Sequence, residues 1–318
     1  MRIVSLLGSA TEIVFELGLQ SHLVGISHEC DFPPETRGLP RVSRPRFDPA
    51  GLSSGEIDAA VRRCMEEFGG VYEIDRELLA KLAPDLILTQ AVCEVCAVPT
   101  GSVEEAVGGL KPGVQVISLD AHTLSDILDT LRQVADAVGE PARGEAAVRR
   151  MVDRLDTVDD AIAGRETPRV LFLEWLDPPF APGHWVPEMV SRAGGVNLVG
   201  EAGRPSREIA WADLSGLDPD CLLIEPCGYD LAGAREDADR NHEALAQLAA
   251  AASRSRGSWV LHSAWFSRSG PRVVGGIEAL ARILHPEVLP DVTPGRAERW
   301  ISLRTDSGAP GSSHSGWG

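Results

Sequence analysis

Short apolar, β-branched runs alternate with stretches of helical periodicity, and the alternation occurs twice, before and after one long helical segment. Strands are expected near residues 2–7, 23–27, 85–90 and 115–119, with helical patterns over 10–17, 54–68 and 76–82. After the long segment, strands are expected near 169–175, 220–225 and 259–262, with helical patterns over 187–193, 241–252 and 271–284. Continuous apolar runs of this length suit strands buried on both faces, and strands alternating with helices are the mark of a parallel α/β sheet.

The segment between the two halves, residues 123–164, is interrupted once, at Gly139-Glu140-Pro141. Beyond Pro141, the apolar residues Ala147, Val148, Met151, Leu155, Val158 and Ile162 recur at helical spacing. The pattern predicts two Rossmann-like α/β lobes joined by one long rigid helix, with a ligand cleft between the lobes. The divisions are 1–122 for the N-terminal lobe, 123–164 for the connection and 165–290 for the C-terminal lobe. The alternative is a helix packed on a single continuous sheet. Residues 291–318 are expected to be a largely disordered tail, because their Gly- and Ser-rich end cannot bury enough apolar area to offset its own ordering.

Charge narrows the function. With 47 acidic against 30 basic side chains, the 318-residue chain has a formal charge of −17. That balance disfavours a nucleic-acid partner, which needs clustered Lys and Arg. No apolar run approaches the roughly 20 residues that span a bilayer, so no membrane insertion is expected. Residues 1–7 read directly as a strand, with no signal-peptide pattern before it. The expected compartment is therefore cytoplasmic, and the six cysteines are expected to be reduced thiols or metal ligands.

Open α/β sheets bind ligands beyond the carboxyl ends of their strands, where the loops converge. The expected exits carry Gly8-Ser9, His28-Glu29-Cys30-Asp31, Cys93-Glu94-Val95-Cys96, Asp120-Ala121-His122, Glu174-Trp175, Phe180, His184-Trp185, Pro226-Cys227 and His262-Ser263-Ala264-Trp265-Phe266. Thiolate and imidazole are soft ligands suited to zinc, iron–sulfur centres or a cobalt or iron macrocycle. Cys30, Cys93, Cys96 and Cys227 are thus candidate metal ligands. Redox chemistry and plain structural thiols are the alternatives, since a single Cys-x-x-Cys is weaker than a paired one. All seven tryptophans lie after Arg169. Aromatics at several exits suit a bulky, partly apolar ligand; interlobe packing is the alternative. The sequence has no Walker loop, dinucleotide fingerprint or nucleophile elbow.

These exits resemble those of the cobalamin-binding and ferric-siderophore-binding substrate proteins of ABC importers, the class with a single rigid helix between lobes. The resemblance rests on Arg2-Ile-Val-Ser-Leu-Leu-Gly-Ser-Ala-Thr-Glu-Ile and Leu23-Val-Gly-Ile-Ser-His-Glu-Cys-Asp-Phe-Pro-Pro-Glu. It extends through Leu82-Ala-Pro-Asp-Leu-Ile-Leu, Ala193-Gly-Gly-Val-Asn and Ala264-Trp-Phe-Ser-Arg-Ser-Gly-Pro-Arg, and covers about residues 1–290 in order. It implies a corrinoid held between the lobes, with Phe180, Trp185 and Trp265 as walls and Ser9, His28 and Phe266 completing the ligand-binding set. It also implies docking on an ABC permease, if the protein is exported, through an acidic residue on each lobe; Glu77 and Asp213 fall near those places. Two departures stand out, the absence of an export signal and the surplus of cysteines, and both look like a cytosolic subgroup.

Two functions compete at this stage. One is a non-catalytic binding protein for a corrinoid or another metal-centred macrocycle, a small-molecule ligand in either case; a cytosolic chaperone for such a ligand is a weaker variant. The other is a cytosolic metalloenzyme with a Cys-ligated iron–sulfur cluster or mononuclear transition metal, using Glu174 and His184 for acid/base work. Fold alone does not decide between them.

Overall fold

The structure is a computed structural model that describes residues 1–92, 103, 108, 112–288 and 295–301. The chain opens with strand β1 (Ile3–Ser5), which runs through Leu6 and Leu7 into helix α1 (Gly8–Glu16). Then come β2 (Leu23–Ile26), β3 (Ser43–Pro45), α2 (Ser54–Phe68), β4 (Tyr72–Ile74), α3 (Arg76–Leu82), β5 (Leu86–Thr89) and β6 (Gln115–Ser118). The parallel sheet has the order β2-β1-β5-β6, and β3 and β4 pair separately as a short antiparallel ribbon. Local chemistry sets the helix starts. Ser53 and Glu56 form a capping box on α2, and the Asp75 side chain accepts the Leu78 N–H at the start of α3.

The connection is two helices. Helix α4 (Leu124–Ala137) starts in a capping box of Thr123 and Asp126, and α5 (Pro141–Ile162) follows after Gly139, whose positive φ of 75° makes the turn. Ile127, Leu131 and Val134 of α4 share a core with Ile13 and Val14 of α1. Helix α4 packs with α1 in the N-terminal half, and α5, 22 residues and about 33 Å long, is the one long helix between the halves, as the spacing beyond Pro141 leads one to expect. Its buried stripe is Ala147, Val148, Met151, Leu155 and Val158, as the spacing requires.

The second half carries β7 (Arg169–Leu173), β8 (Trp175–Leu176), β9 (Pro179–Ala181), α6 (Val186–Arg192), β10 (Val196–Asn197), β11 (Arg207–Glu208), α7 (Trp211–Leu214) and β12 (Cys221–Ile224). It ends with α8 (Leu231–Arg240), α9 (His242–Ala252), β13 (Gly257–Leu261), α10 (Val273–Leu284) and β14 (Ala297–Trp300). The main sheet has the order β10-β7-β12-β13-β14, parallel except for β14. A three-stranded antiparallel sheet, β11-β9-β8, sits at the carboxyl end of β7.

Two separate parallel sheets exclude the single continuous sheet. One buried cluster runs through both halves, from Ile13 and Leu131 through Met151 to Phe172, Trp185 and Leu280. The outer faces of the sheets have their own clusters, around Leu222 and Val260 in one half and Val4 and Ile87 in the other. The expected disordered tail is corrected at its start: Ala297–Trp300 form β14 against β13, burying Ala297 and Trp300, and the Trp300 Nε1–H donates to Asp239 Oδ1 at 2.8 Å. Residues 302–318 lie outside the described residues. Among the described residues, no helix is long and apolar enough to cross a membrane.

Candidate functional site

The first turn of α1 and the 268–272 loop of the C-terminal half meet across the seam between the sheets. An added Cβ on Gly8 would lie 3.2 Å from the Arg268 guanidinium, and one on Gly270 would lie 3.2 Å from the Ser9 Cβ, so small residues permit this approach. Ser9 is buried, with its hydroxyl 3.4 Å from that of Ser269. One helical turn after Gly8, on the same face, stands Glu12, 4% exposed. Its carboxylate accepts from both Nε (2.9 Å) and Nη2 of Arg272, with Arg268 Nη1 at 3.5 Å. Burial raises the Glu12 pKa, against the pull of Arg272 and then Arg268.

Arg268 also forks onto Asp31 in the loop after β2, with Nη1 at 2.5 Å from Oδ1 and Nη2 at 3.3 Å from Oδ2. Burial opposes ionisation of Asp31, but the Arg268 hydrogen bond and charge outweigh it and hold the carboxyl below its usual range. Arg272 also lies over the Phe32 ring at 4.6 Å. The Trp265 ring takes guanidinium groups from Arg272 at 5.4 Å and Arg296 at 4.4 Å. His28 is fixed by Ser43 Oγ at 2.9 Å from Nδ1, by Glu29 Oε1 at 3.2 Å from Nε2 and by the Tyr72 ring.

On the C-terminal side, adjacent exits carry Glu174 and Glu225: the Glu225 N–H donates to the Leu173 carbonyl and the Cys227 N–H to the Glu174 carbonyl. Glu225 is fully buried. Its Oε1 accepts from the Ser267 hydroxyl, and its Oε2 has no hydrogen-bond partner among the described residues. Burial pushes its pKa well above the carboxylate range, and the neighbouring Cys227 and Glu174 push it further. Trp175 pairs across strands with Phe180, and its ring lies 5.6 Å from that of Tyr229. At the far edge of the seam the Ser54 hydroxyl donates to Asp237 at 2.7 Å, linking α2 to α8. Beside this link a concavity of about 410 Å³ is lined by Ser53, Gly55, Glu56, Asp58, Asp177 and Pro178.

Several expected site residues sit elsewhere than the sequence pattern suggests. Phe266 is 0% exposed and packs on Phe172, while Trp185 is buried and donates its Nε1–H to the Phe266 carbonyl at 2.6 Å. Both are core residues and neither is exposed as a cleft wall; Phe180 and Trp265 are half-buried, and of the two it is Trp265 that meets the arginine cluster. Cys30 is 0% exposed, with its sulfur 3.0 Å from the Thr11 hydroxyl, and burial pushes its thiol up to about 11. The thiol is thus part of the apolar core around Ile13 and Ile26, with Thr11 as its polar neighbour, and does not face an open cleft. Cys227 is an exposed free thiol, and Cys93 and Cys96 lie outside the described residues. Among the described residues, no group of three or more His, Cys, Asp or Glu is arranged to hold a metal, so the iron–sulfur reading finds no support. His184, a candidate acid/base residue, faces His122 with Nδ1 atoms 3.4 Å apart. Glu77 and Asp213 are exposed in the first turns of α3 and α7, one in each half.

The sequence reading missed the arginine pair and Glu225. A signal for the former was present: an acid in the middle of the apolar pattern over 10–17 requires a buried cation, and Arg268 and Arg272 stand in the Ser267-Arg-Ser-Gly-Pro-Arg run. Glu225 looked like an ordinary strand exit, because nothing local foretells which exits are covered.

A family model described as periplasmic binding protein matches residues 3–256. A vitamin B12-binding protein of Vibrio cholerae serotype O1 is 23% identical over 287 residues, 89% of this chain and 88% of that protein. One from Salmonella typhimurium is 22% identical over 286 residues, 89% of this chain and 90% of its own length. Among solved structures, the periplasmic vitamin B12 binding protein BtuF of Vibrio cholerae superposes with a TM-score of 0.64 at 23% identity, covering 89% of this chain and 96% of its own. The apo periplasmic heme-binding protein RhuT from Roseiflexus sp. RS-1 gives 0.65 at 24% identity, covering 90% and 98%. At these identities the structures share the fold, two α/β halves of mixed helix and parallel sheet.

Proposed function

The chain belongs to the periplasmic binding protein family, and from that premise we propose that it binds a corrinoid or another metal-centred macrocycle in the cleft between its two halves, without converting it. The observation that carries this reading is the match, over nearly nine tenths of the chain, to proteins named for vitamin B12 binding. The heme-binding neighbours are why the proposal extends beyond corrinoids. The seam adds physical support. Half-buried Trp265 and exposed Phe32 offer flat apolar area beside Arg272, with Arg268 in the same cluster, and guanidinium groups can donate to polar groups at a ring's edge. In this proposal the lobes are residues 1–122 and 165–290, with 123–164 between them. The compartment is the cytoplasm. If cell fractionation instead recovers the protein outside the inner membrane, its partner is an ABC-importer permease, as the family context suggests, with Glu77 and Asp213 as the docking acids.

The test is an absorbance titration of the purified chain with hydroxocobalamin and, separately, with hemin. Saturable binding of either at one equivalent is expected. Trp265→Ala should weaken it by about 1–3 kcal/mol, the range of an aromatic anchor. If neither compound binds in equilibrium dialysis, the macrocycle reading is wrong.

A further inference from the structure

Away from the arginine seam, a second pair of groups meets across the two halves. His122 follows β6 and is exposed; His184 follows β9 and is half-buried. Their Nδ1 atoms lie 3.4 Å apart and their ring centroids 5.5 Å apart. That separation is long for a hydrogen bond, beyond the roughly 2.7–3.2 Å over which N–H donors usually meet an acceptor. It matches the edge of a coordination tetrahedron, because two nitrogens about 2.0–2.1 Å from one zinc ion at the tetrahedral angle are about 3.3–3.4 Å apart. At the right angle of an octahedron they would be only about 2.9 Å apart.

We propose that His122 and His184 form a transition-metal site that bridges the two halves, taking zinc or a similar borderline divalent ion through both Nδ1 atoms. The site is independent of the macrocycle reading, because it needs only the metal.

The backbone around His184 is fixed for this geometry. His184 adopts a φ of 50°, in the left-handed region that a side chain with a Cβ seldom occupies. The 203–204 loop holds it there from both sides: the His184 N–H donates to the Arg204 carbonyl at 2.6 Å, and the Gly203 N–H donates to the His184 carbonyl at 2.9 Å. Strain maintained by surrounding bonds is characteristic of residues with a positional task. On the opposite side, Asp126 accepts the His122 N–H at 2.8 Å, and Glu188 accepts the Leu124 N–H at 2.7 Å, bracing the two halves next to the pair. The nearby carboxylates favour a cation over an anion.

Imidazole donors select zinc, cobalt, nickel or copper over magnesium or calcium. Among the described residues, no third His, Cys, Asp or Glu completes the set. The remaining positions are thus left to water or to a donor atom of an incoming molecule, the arrangement of an open site and not of a closed structural one.

The experiment uses the full chain stripped of metal and titrated with zinc chloride against a chromophoric chelator, then with cobalt(II) followed by visible absorption. The wild type is expected to bind one equivalent, with the intense visible bands of tetrahedral cobalt. His122→Ala, an exposed substitution, and His184→Asn, which keeps a residue tolerant of positive φ, should each weaken zinc binding by roughly tenfold or more. Each should also abolish the tetrahedral cobalt spectrum. Zinc should raise the thermal midpoint of the wild type and leave that of His122→Ala unmoved. Absence of binding overturns the proposal, as does binding that survives both substitutions within a factor of two, or an octahedral cobalt spectrum.

Discussion

Replacing Arg272 by Met keeps most of the side-chain length and removes the fork that satisfies Glu12. Glu12 is 4% exposed and makes its two close contacts with Arg272; what remains is Arg268 Nη1, 3.5 Å away and already committed to Asp31. Breaking a buried ion pair from one side typically costs about 3–5 kcal/mol, because a charge stays buried without its partner. Arg268 moderates the loss, which places Arg272→Met near the lower end, about 3 kcal/mol. For a chain of this length that corresponds to a fall in the thermal midpoint of roughly 5 °C. Glu12→Leu combined with Arg272→Met removes both charges and should recover to within about 1 kcal/mol of the wild type. Urea unfolding of the two single variants and the double at neutral pH completes the cycle. A single-variant cost below about 1 kcal/mol, the range of an exposed pair, or simple additivity in the double, would refute the account of Glu12 as a desolvated carboxylate held by Arg272.

Glu225 gives a pH prediction of definite sign. Its folded pKa is raised, so the folded state holds a proton that the unfolded chain has released. The associated stability is fully present below the ordinary Glu value of 4.5 and is lost as pH rises through the raised value. Relative to the wild type, Glu225→Gln should therefore remove a slope of about 1.4 kcal/mol per pH unit above that ordinary value. Urea midpoints of both proteins across the acid-to-neutral range read it directly, and parallel curves would refute it. Under native conditions, alkylation mapped by mass spectrometry should modify Cys227 quickly and leave Cys30, Cys64 and Cys221 protected, in keeping with their burial. Fast labelling of Cys30 would contradict its seal beneath Thr11. Trp185→Ala should cost about 3–5 kcal/mol of stability, as a large core truncation does, whereas Trp265→Ala should leave stability nearer to the wild type and act on ligand affinity. Thermal melts of the two variants separate these outcomes.

Periodicity made most of the framework legible. The expected helices over 54–68 and 76–82 coincide with α2 and α3, and β2, β5, β7 and β12 fall within the apolar runs, while β13 starts two residues before its run. Elements of two or three residues, such as β8, β9 and β11, escaped because so few residues carry no period. β14 escaped because the Gly- and Ser-rich end of the chain dominated the reading of the segment before it, although Trp300 is an anchor. Trp185 and Phe266 were expected at the cleft on their positions at strand exits. An exit is only a place on the backbone, and whether its aromatic turns toward ligand or core depends on helix packing across the sheet, as the Trp185–Phe266 bond shows. The arginine seam needed contacts between residues some 260 positions apart, beyond the reach of any local pattern.

The buried cluster that passes from Ile13 through Met151 to Leu280 has a consequence for synthesis. A nascent chain that has exposed only its first half presents Ile127, Leu131 and Val134 beside an incomplete core, with α5 and α10 not yet made. At roughly 5–20 residues per second, the roughly 150 further residues between the end of α4 and the end of α10 take about 7–30 s. During that interval the residues of the first half that belong to this cluster lack the partners that bury them in the finished fold.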